Sequence, residues 1–283
     1  MNPLHDLPFE AFFLDGSRGR LFALHFPALG EKRGALLCIP PFAEESNRSR
    51  VMLGMAARAL AAQGWSTLLL DPYGCGDSEG HFEQADWATW QQDIDTGVEW
   101  LNDQDGELGL WGLRLGAFQV IEAAARHQDC IRRLLLWQPV TNPRQMFTQY
   151  LRLRLASTEE ATGKKETTAD LRARLADGEA LEIGGYYITG TLAAQLDEAA
   201  LPSPQRLAGI QVDWLERVDE GKAALSIGSR KIISDWRKAG VAVTEHPFTG
   251  PPFWQLHDRF LAPQLTERTV AALTLRENAD GSH

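Results

Sequence analysis

The sequence predicts an α/β protein with a mostly parallel sheet of about eight strands and helices on both faces. Short apolar runs bounded by Gly and Pro alternate with longer segments of helical spacing, which is typical of parallel βαβ units. The apolar run from Leu108 ends at Gly112, and an Ala-rich helical segment begins four residues later, as expected of a buried strand that turns sharply into a helix. With 283 residues, 44% of them hydrophobic, the chain can form one such domain with an insertion, or two small domains.

The first half of the chain follows this alternation closely. Strands are predicted from continuous apolar runs, and helices from apolar residues three or four positions apart. The predicted elements are a hairpin (12–26), a strand (34–40), a loop (42–47), a helix (51–62), a strand (65–71), a turn (72–80), a helix capped by Asp86, the strand ending near Leu113, a helix to about His127 and a strand (131–137).

The alternation stops between Thr141 and about Gln205. We interpret residues 141–205 as a cap inserted into a core formed by residues 1–140 and 206–283. Within the cap we expect an amphipathic helix (147–155), a polar loop (157–166) and short helices around 184–190. The core then resumes with a strand (209–218), a helix (227–239), a strand (241–247) and a closing helix (257–275).

Composition narrows the range of partners. The net charge of −10 argues against binding to nucleic acid or to an anionic membrane surface. The N-terminal residues lack the basic and apolar regions of a signal peptide, and no apolar run is long enough to span a bilayer. Cys38, Cys75 and Cys130 lie far apart without metal-ligand spacing. We therefore expect a cytoplasmic protein with no metal and no cofactor.

The frame Gly112-x-x-x-Gly116 has the spacing of the Gly-x-Ser-x-Gly motif at the turn from the strand into the Ala-rich helix. In that motif the glycines let the backbone pass close to its neighbours, and a strained central residue stands at the top of the sheet. The central residue here is Arg114.

Together, this frame and the order of elements resemble the α/β-hydrolase fold over nearly the whole chain. Five segments also resemble one subgroup, the second type of exosortase-A-system-associated hydrolase, found in bacterial loci for exopolysaccharide synthesis and PEP-CTERM protein sorting. These segments are residues 38–48, 73–78, 111–117, 136–140 and 251–254.

The resemblance implies three catalytic positions, which we compared with this sequence. Arg114 occupies the serine position, and a guanidinium that stays protonated cannot be a nucleophile. Pro252 occupies the histidine position, flanked by His246 inside the predicted strand and by His257 at the start of the closing helix; His257 is a weak catalytic candidate. Three acids lie near the acid position, and the sequence does not select among them: Glu216, Asp219 and Glu220.

The anion-stabilising part of a hydrolase site is retained in this comparison. The resemblance places the N–H of Leu115 at the start of a helix, facing the N–H groups of Phe42 and Ala43, as in an oxyanion hole. Arg114 adds a planar set of donors. Two acids on the same loop offer it partners, Glu44 and Glu45. Two interpretations therefore remain open: a structural Arg–Glu pair, or an arginine that binds a ligand.

Other side chains are expected near the same edge of the sheet. Cys75 lies on a turn there and is a weak candidate for a thiol nucleophile. Trp137, Gln138, Phe253 and Trp254 follow strands at the carboxyl edge, where α/β sheets bind ligands. Aromatic rings with an amide and an arginine suit a sugar, an acyl chain or an aromatic acid.

Three functions are compatible with these residues. The chain is a binding protein that keeps a hydrolase pocket for an anionic, acyl or saccharide compound, an esterase or thioesterase with displaced catalytic residues, or a scaffold whose cap binds another protein. The resemblance and the loss of the triad favour the first.

Overall fold

The computed structural model describes residues 8–102, 106–162, 165–255 and 260–274. Its strands are β1 (Glu10–Asp15), β2 (Arg20–Phe26), β3 (Gly34–Ile39), β4 (Trp65–Leu70), β5 (Glu107–Leu113), β6 (Ile131–Trp137), β7 (Leu181–Ile183), β8 (Tyr186–Ile188), β9 (Gln211–Arg217) and β10 (Ala242–Phe248). Its α-helices are α1 (Glu44–Ala61), α2 (Trp87–Asn102), α3 (Leu115–Arg126), α4 (Pro143–Thr162), α5 (Thr168–Ala176), α6 (Gly190–Glu198), α7 (Ile227–Lys238) and α8 (Pro263–Thr274).

Eight strands form one sheet in the order β1-β2-β4-β3-β5-β6-β9-β10. The hairpin β1–β2 is antiparallel and β2 pairs antiparallel with β4, whereas all the following pairs are parallel. Parallel strands need crossover helices, so the helices cover both faces of the sheet. α1 and α8 pack on one face, and α2, α3 and α7 on the other. The predicted α/β-hydrolase architecture is confirmed.

β5 lies in the middle of this sheet, between β3 and β6. The carboxyl ends of these three strands therefore meet at one edge. Asp86, the predicted cap, accepts a hydrogen bond from the N–H of Thr89 (2.8 Å) at the start of α2. α1 and α3 start only a few residues after β3 and β5 end, so both helices begin close to this edge of the sheet.

Four local predictions were wrong. α1 starts at Glu44 rather than at Val51, so most of the expected loop 42–47 is helical. α4 continues to Thr162, so the first part of the expected polar loop 157–166 is also helix. The segment around Gly184 is the β7–β8 hairpin rather than a helix, because Gly184 and Gly185 both adopt positive φ angles (58° and 86°), as in the tight turns of hairpins. The closing helix begins at Pro263.

The segment between the adjacent strands β6 and β9 contains α4, α5, α6 and the small β7–β8 sheet. The interval 141–205 that we interpret as a cap lies within it. Phe147, Leu151 and Leu171 are fully buried and join the same apolar cluster as α2 and α3. In the described parts of the chain, no helix is both long enough and apolar enough to span a membrane.

A row of alternating charges crosses four strands near the amino end of the sheet. The guanidinium of Arg133 donates to Glu107 (2.7 Å) and to the fully buried Asp213 (3.0 Å), which also bonds His246 (2.8 Å). Arg133 is only 5% exposed. Because Arg133 lies between the carboxylates of Glu107 and Asp213 on the neighbouring strands, these buried charges compensate one another.

Candidate functional site

The turn from β5 into α3 is as tight as the Gly112-x-x-x-Gly116 frame predicts. A Cβ atom on Gly112 would lie 2.5 Å from the N and Cα atoms of Ala117, and one on Gly116 would overlap the carbonyl oxygens of Ile39 and Pro40. Only glycine allows this approach of the helix to its own strand and to the end of β3.

Arg114 stands at this turn with φ 57° and ψ −118°, a conformation that non-glycine residues rarely adopt. Its N–H donates to the carbonyl of Trp137 (3.0 Å), and its own carbonyl accepts from Ala117 and Val140 (both 3.1 Å). Backbone bonds to β6 and to the next loop therefore fix the residue in its strained position.

Two further non-glycine residues with positive φ lie at the same edge. Ala43 (φ 51°) connects β3 to α1, and Gln138 (φ 41°) follows β6. Together with Arg114 they are the three such residues in the described ranges, and they follow three neighbouring strands. Strained backbone of this kind is concentrated at functional sites, so this edge is the candidate site.

The side chain of Arg114 pairs with Glu45 in the first turn of α1. Nε lies 3.3 Å from both carboxylate oxygens, and Nη2 lies 3.3 Å from Oε1. These contacts are longer than the 2.7–2.9 Å typical of charged hydrogen bonds. Glu44 instead pairs with Arg48 (3.3 Å). Of the two predicted partners, Glu45 is therefore the one that contacts Arg114.

The pair is poorly hydrated. The side chains of Arg114 and Glu45 are only 14% and 22% exposed. Burial raises the pKa of the Glu45 carboxyl, and the nearby positive charges of Arg114 and Arg48 offset this only in part, so the net direction is upward. The guanidinium also lies 5.7 Å from the ring centre of Trp254.

A cleft of about 500 Å³ opens beside this pair. Its base is polar, whereas one wall comes from α4 and is mostly apolar. Tyr150 on this wall packs edge-on against Phe42 (5.2 Å between ring centres), and burial raises its pKa, so its hydroxyl is neutral. The described residues that line the cleft are Phe42, Glu44, Glu45, Arg48, Arg114, Met146, Gln149, Tyr150, Leu153, Trp254 and Gln255.

The backbone donors predicted for an anion site lie close to one another. Phe42, Ala43 and Leu115 all border a small cavity of about 30 Å³ next to the cleft. Among the described residues, no hydrogen-bond acceptor is found for their N–H groups. Such N–H groups at two helix starts attract negative charge.

Among the residues that the structure describes, the acid and histidine positions hold no catalytic pair at this edge. Both carboxylate oxygens of Glu216 are engaged, with the N–H of Ser226 (2.8 Å) and the indole of Trp214 (3.1 Å). Asp219 is exposed and pairs with Lys222, and Glu220 is exposed too. His246 lies within β10 in the row of charges described above. Pro252 lies in the loop that follows, and His257 falls outside the described residues.

Cys75 lies on the turn after β4, beside the small cavity. Burial raises its pKa, and the negative charges of Asp71 and Asp93 raise it further. A thiol in this environment stays protonated, whereas a thiolate is required for nucleophilic attack. The geometry therefore argues against Cys75 as a nucleophile.

The predicted aromatic residues separate into two groups. Trp254 lines the cleft. Trp137 and Phe253 instead lie in the core on the α1 and α8 face, at most 1% exposed, and the Trp137 indole donates to Thr269 (2.9 Å). Side chains along a strand point alternately to the two faces of the sheet. Trp137, the last residue of β6, therefore projects into the core on one face and not over the carboxyl edge. Gln138 accepts from the N–H of Arg217 (2.7 Å) and connects β6 with β9.

Five cleft residues were not predicted from the sequence: Arg48, Met146, Gln149, Tyr150 and Leu153. Four of them lie on α4, and their spacing of three and four residues is the available signal, since it places them on one helix face. Arg48 also donates to the carbonyl of Gln255 (2.6 Å), which connects α1 with the loop after β10.

Comparisons with known proteins agree with this architecture. The family model described as serine aminopeptidase, S33, matches residues 30–177, just over half of the chain. An uncharacterised 31.7 kDa protein in the traX-finO intergenic region of Escherichia coli is 33% identical over 82 residues, which are 28% of this chain and 29% of that protein. The match thus spans less than a third of the length of this relative.

Solved structures with the same fold include three that cover most of both chains. Est1E from Butyrivibrio proteoclasticus, solved with ferulic acid, has a TM-score of 0.65 at 18% identity and covers 95% of this chain and 100% of its own. The α/β hydrolase GrgF from Penicillium sp. sh18 (0.61, 16%, 94% and 98%) and a thermostable carboxyl esterase from Bacillus coagulans (0.58, 14%, 86% and 90%) are similar. These likenesses concern the fold alone. By its family match and its sheet, the chain belongs to the serine aminopeptidase, S33, family of α/β-hydrolase-fold proteins.

Proposed function

We propose that this chain is a binding protein built on the α/β-hydrolase fold, in which Arg114 stands where catalytic relatives carry the serine nucleophile. The observation that carries the proposal is the position of Arg114, held at the strained turn with its side chain in the 500 Å³ cleft. A guanidinium stays protonated and cannot attack an acyl carbon.

The composition of the cleft supports this proposal. Its described lining contains no serine, cysteine or histidine, so neither a nucleophile nor a base for acyl transfer is found among these residues. Beside it lie the backbone N–H groups of Phe42, Ala43 and Leu115, for which no acceptor is found among the described residues. Such N–H groups favour the binding of a negative charge. What remains is the binding half of a hydrolase site.

We propose a carboxylate or a similarly small anion with an apolar body as the ligand. Arg114 pairs with Glu45 through long 3.3 Å contacts, and no bond of its Nη1 is found among the described residues. An incoming carboxylate would therefore meet a free donor and would compete with Glu45 for the rest. The apolar side chains of Phe42, Met146 and Leu153 suit an aromatic ring or an acyl chain.

Calorimetric titration of the purified protein with ferulate and with neutral methyl ferulate tests the ligand class. We expect ferulate to bind more tightly than the ester, Arg114→Met to abolish this preference, and Glu45→Gln to strengthen ferulate binding because the competing carboxylate is removed. Equal affinities for the acid and the ester in the wild-type protein would contradict the role of Arg114.

Labelling with a fluorophosphonate probe tests the absence of serine-hydrolase chemistry. We expect no covalent adduct by mass spectrometry and no burst with p-nitrophenyl acetate. Stoichiometric labelling of any serine would instead support an esterase with displaced catalytic residues.

The cellular setting is part of the proposal and follows from the sequence resemblance. We propose that the protein acts in the cytoplasm beside exopolysaccharide synthesis and PEP-CTERM protein sorting, with an acyl or anionic saccharide intermediate as ligand. Its inserted segment 141–205 would serve as a cap over the cleft. Deletion of the gene followed by analysis of secreted polysaccharide tests this setting, and an unchanged polysaccharide would contradict it. Loss of a co-purified protein on mutation of exposed cap residues would favour a scaffold.

A further inference from the structure

A second cavity, of about 660 Å³, lies between α1 and the outer strands β2 and β4. It shares no lining residue with the cleft beside Arg114. Its volume is in the range of small-molecule sites, which is roughly 300–1,000 Å³. It is therefore a candidate binding site distinct from the cleft beside Arg114.

The floor of this cavity is an apolar sheet surface. Phe22, Leu24 and Phe26 are at alternate positions of β2 and face the same side, and Leu24 pairs in register with Leu69 of β4. Leu24 and Leu69 remain partly exposed even though α1 lies across this face. The helix thus does not close down on the sheet here.

Gly54 keeps the helical wall open. It lies in the middle of α1, where glycine costs about 1 kcal/mol relative to alanine. A Cβ atom at this position would meet one atom within 4 Å, the Nη1 of Arg58 at 3.4 Å, an ordinary contact. No neighbouring strand or helix requires glycine here, and the missing side chain leaves space on the wall of the cavity.

An arginine without an acidic partner marks one end of the cavity. The guanidinium of Arg58 lies near the rings of Phe9 (5.7 Å) and Phe26 (5.1 Å), and Nη1 donates weakly to the Gly54 carbonyl (3.3 Å). Its Nε is buried without a hydrogen-bond partner, and no carboxylate among the described residues lies within ion-pair distance of it.

Arg50 marks the other end, eight residues and about 12 Å earlier on the same helix face. Its charge is already balanced, because it donates to Asp71 (2.6 Å). The cavity is therefore an apolar channel with one charged end that is compensated and one that is not.

We propose that this cavity binds an amphipathic carboxylate of the fatty-acid type, with its head on Arg58 and its chain along Leu24 and Leu69. The carboxylate supplies an acceptor to the half-buried guanidinium, whose Nε has none, and the chain covers apolar surface that the fold leaves open. This site is independent of the function proposed for the Arg114 cleft.

Calorimetric titration with dodecanoate, and with neutral dodecanol as the matched ligand, tests the proposal. The titrations use the full chain carrying Arg114→Met, because the cleft beside Arg114 can also take an acyl carboxylate. We expect dodecanoate to bind at least tenfold more tightly than dodecanol. Arg58→Met should remove this preference, whereas Arg58→Lys should keep part of it. Gly54→Leu should block both ligands by filling the cavity, while Gly54→Ala, its control, should bind as the wild type does.

Arg114→Met separates the two sites. In this variant dodecanoate should still bind at one site and keep its preference over dodecanol, whereas a complete loss of dodecanoate binding would place the acid in the other cleft and overturn the proposal. The proposal also fails if the wild type does not bind dodecanoate. It fails too if Gly54→Leu has the circular dichroism spectrum of a folded protein and still binds dodecanoate as the wild type does.

Discussion

Replacing Arg114 by alanine isolates the consequence of leaving Glu45 without its cation. The pair is 14% and 22% exposed, and burial already raises the pKa of Glu45. Without Arg114 that pKa would rise further, so the carboxyl would take up a proton instead of staying charged. The cost of this protonation sets an upper limit on the loss of stability.

That limit can be worked out. A glutamate in an unfolded chain has a pKa of about 4.3, and pH 7 lies about 2.7 pH units higher, which corresponds to about 3.7 kcal/mol. The wild-type protein already bears part of this cost, because its Glu45 pKa is also raised. We therefore expect Arg114→Ala to lower the free energy of unfolding by about 2–3 kcal/mol at pH 7.

The sign of the pH dependence follows from linkage. In the variant, folded Glu45 binds its proton more tightly than unfolded Glu45, so stability falls as pH rises above the unfolded pKa. At pH 5 the difference from wild type should shrink below about 1 kcal/mol, since protonating Glu45 is then inexpensive.

Urea denaturation followed by circular dichroism at pH 5 and pH 7 measures this difference. The variant Arg114→Ala/Glu45→Gln is the control, and it should regain most of the loss because no carboxyl remains to be protonated. Arg114→Gly should be more stable than Arg114→Ala by about 1 kcal/mol, because glycine relieves the φ of 57°. A loss that is equal at both pH values, with no recovery in the double variant, would refute this reasoning.

Three further outcomes follow from other parts of the fold. Burial raises the pKa of Asp93 to about 6, and its Oδ2 accepts from the N–H of Tyr73 (2.8 Å). We therefore expect the free energy of unfolding to fall by about 2 kcal/mol between about pH 4 and 7 from this group; Asp93→Asn should flatten that part of a urea-denaturation pH series, and an unchanged slope would contradict this expectation. Gly116→Ala should destabilise the fold by about 3 kcal/mol or more, because its Cβ would overlap two carbonyl oxygens, whereas Gly54→Ala should not destabilise it. Thermal denaturation measures this difference, and similar melting temperatures for the two variants would count against the tight turn. Arg133→Met should lower the free energy of unfolding, measured by urea denaturation, by about 3–5 kcal/mol, because it removes the buried cation between Glu107 and Asp213. Arg237→Met removes the half-exposed partner of Glu245 and should lower it by less than about 1 kcal/mol. Equal losses would argue against charge compensation around Arg133.

Local sterics made the centre of the site predictable from the sequence. The two glycines four residues apart specify how closely α3 approaches β5 and β3, and that requirement is visible in the residues themselves. The start of α1 was not predictable in this way. Ala43 turns the chain from β3 into α1 with φ 51°, and alanine gives no signal for such a conformation.

The partner of Arg114 could not be chosen from the sequence for a related reason. Glu44 and Glu45 are equivalent in an expected loop. Once they lie in the first turn of α1, neighbouring residues point about 100° apart, so one meets Arg114 and the other meets Arg48. The apolar wall of α4 depended likewise on where an inserted helix packs, which is a tertiary property.

The strain at the sheet edge bears on why Arg114 matters. Ala43, Arg114 and Gln138 each hold a conformation that costs of the order of 1–3 kcal/mol, and glycine could occupy each position without that cost. In a fold with no use for this edge, nothing opposes such a replacement at the turn after β5. Arg114 instead presents a guanidinium to the cleft, held by backbone bonds from β6 and met only loosely by Glu45. A guanidinium fixed by its backbone but paired only through long contacts is better suited to exchange Glu45 for a ligand carboxylate than to form a structural ion pair. The response of ferulate affinity to Glu45→Gln distinguishes these two roles.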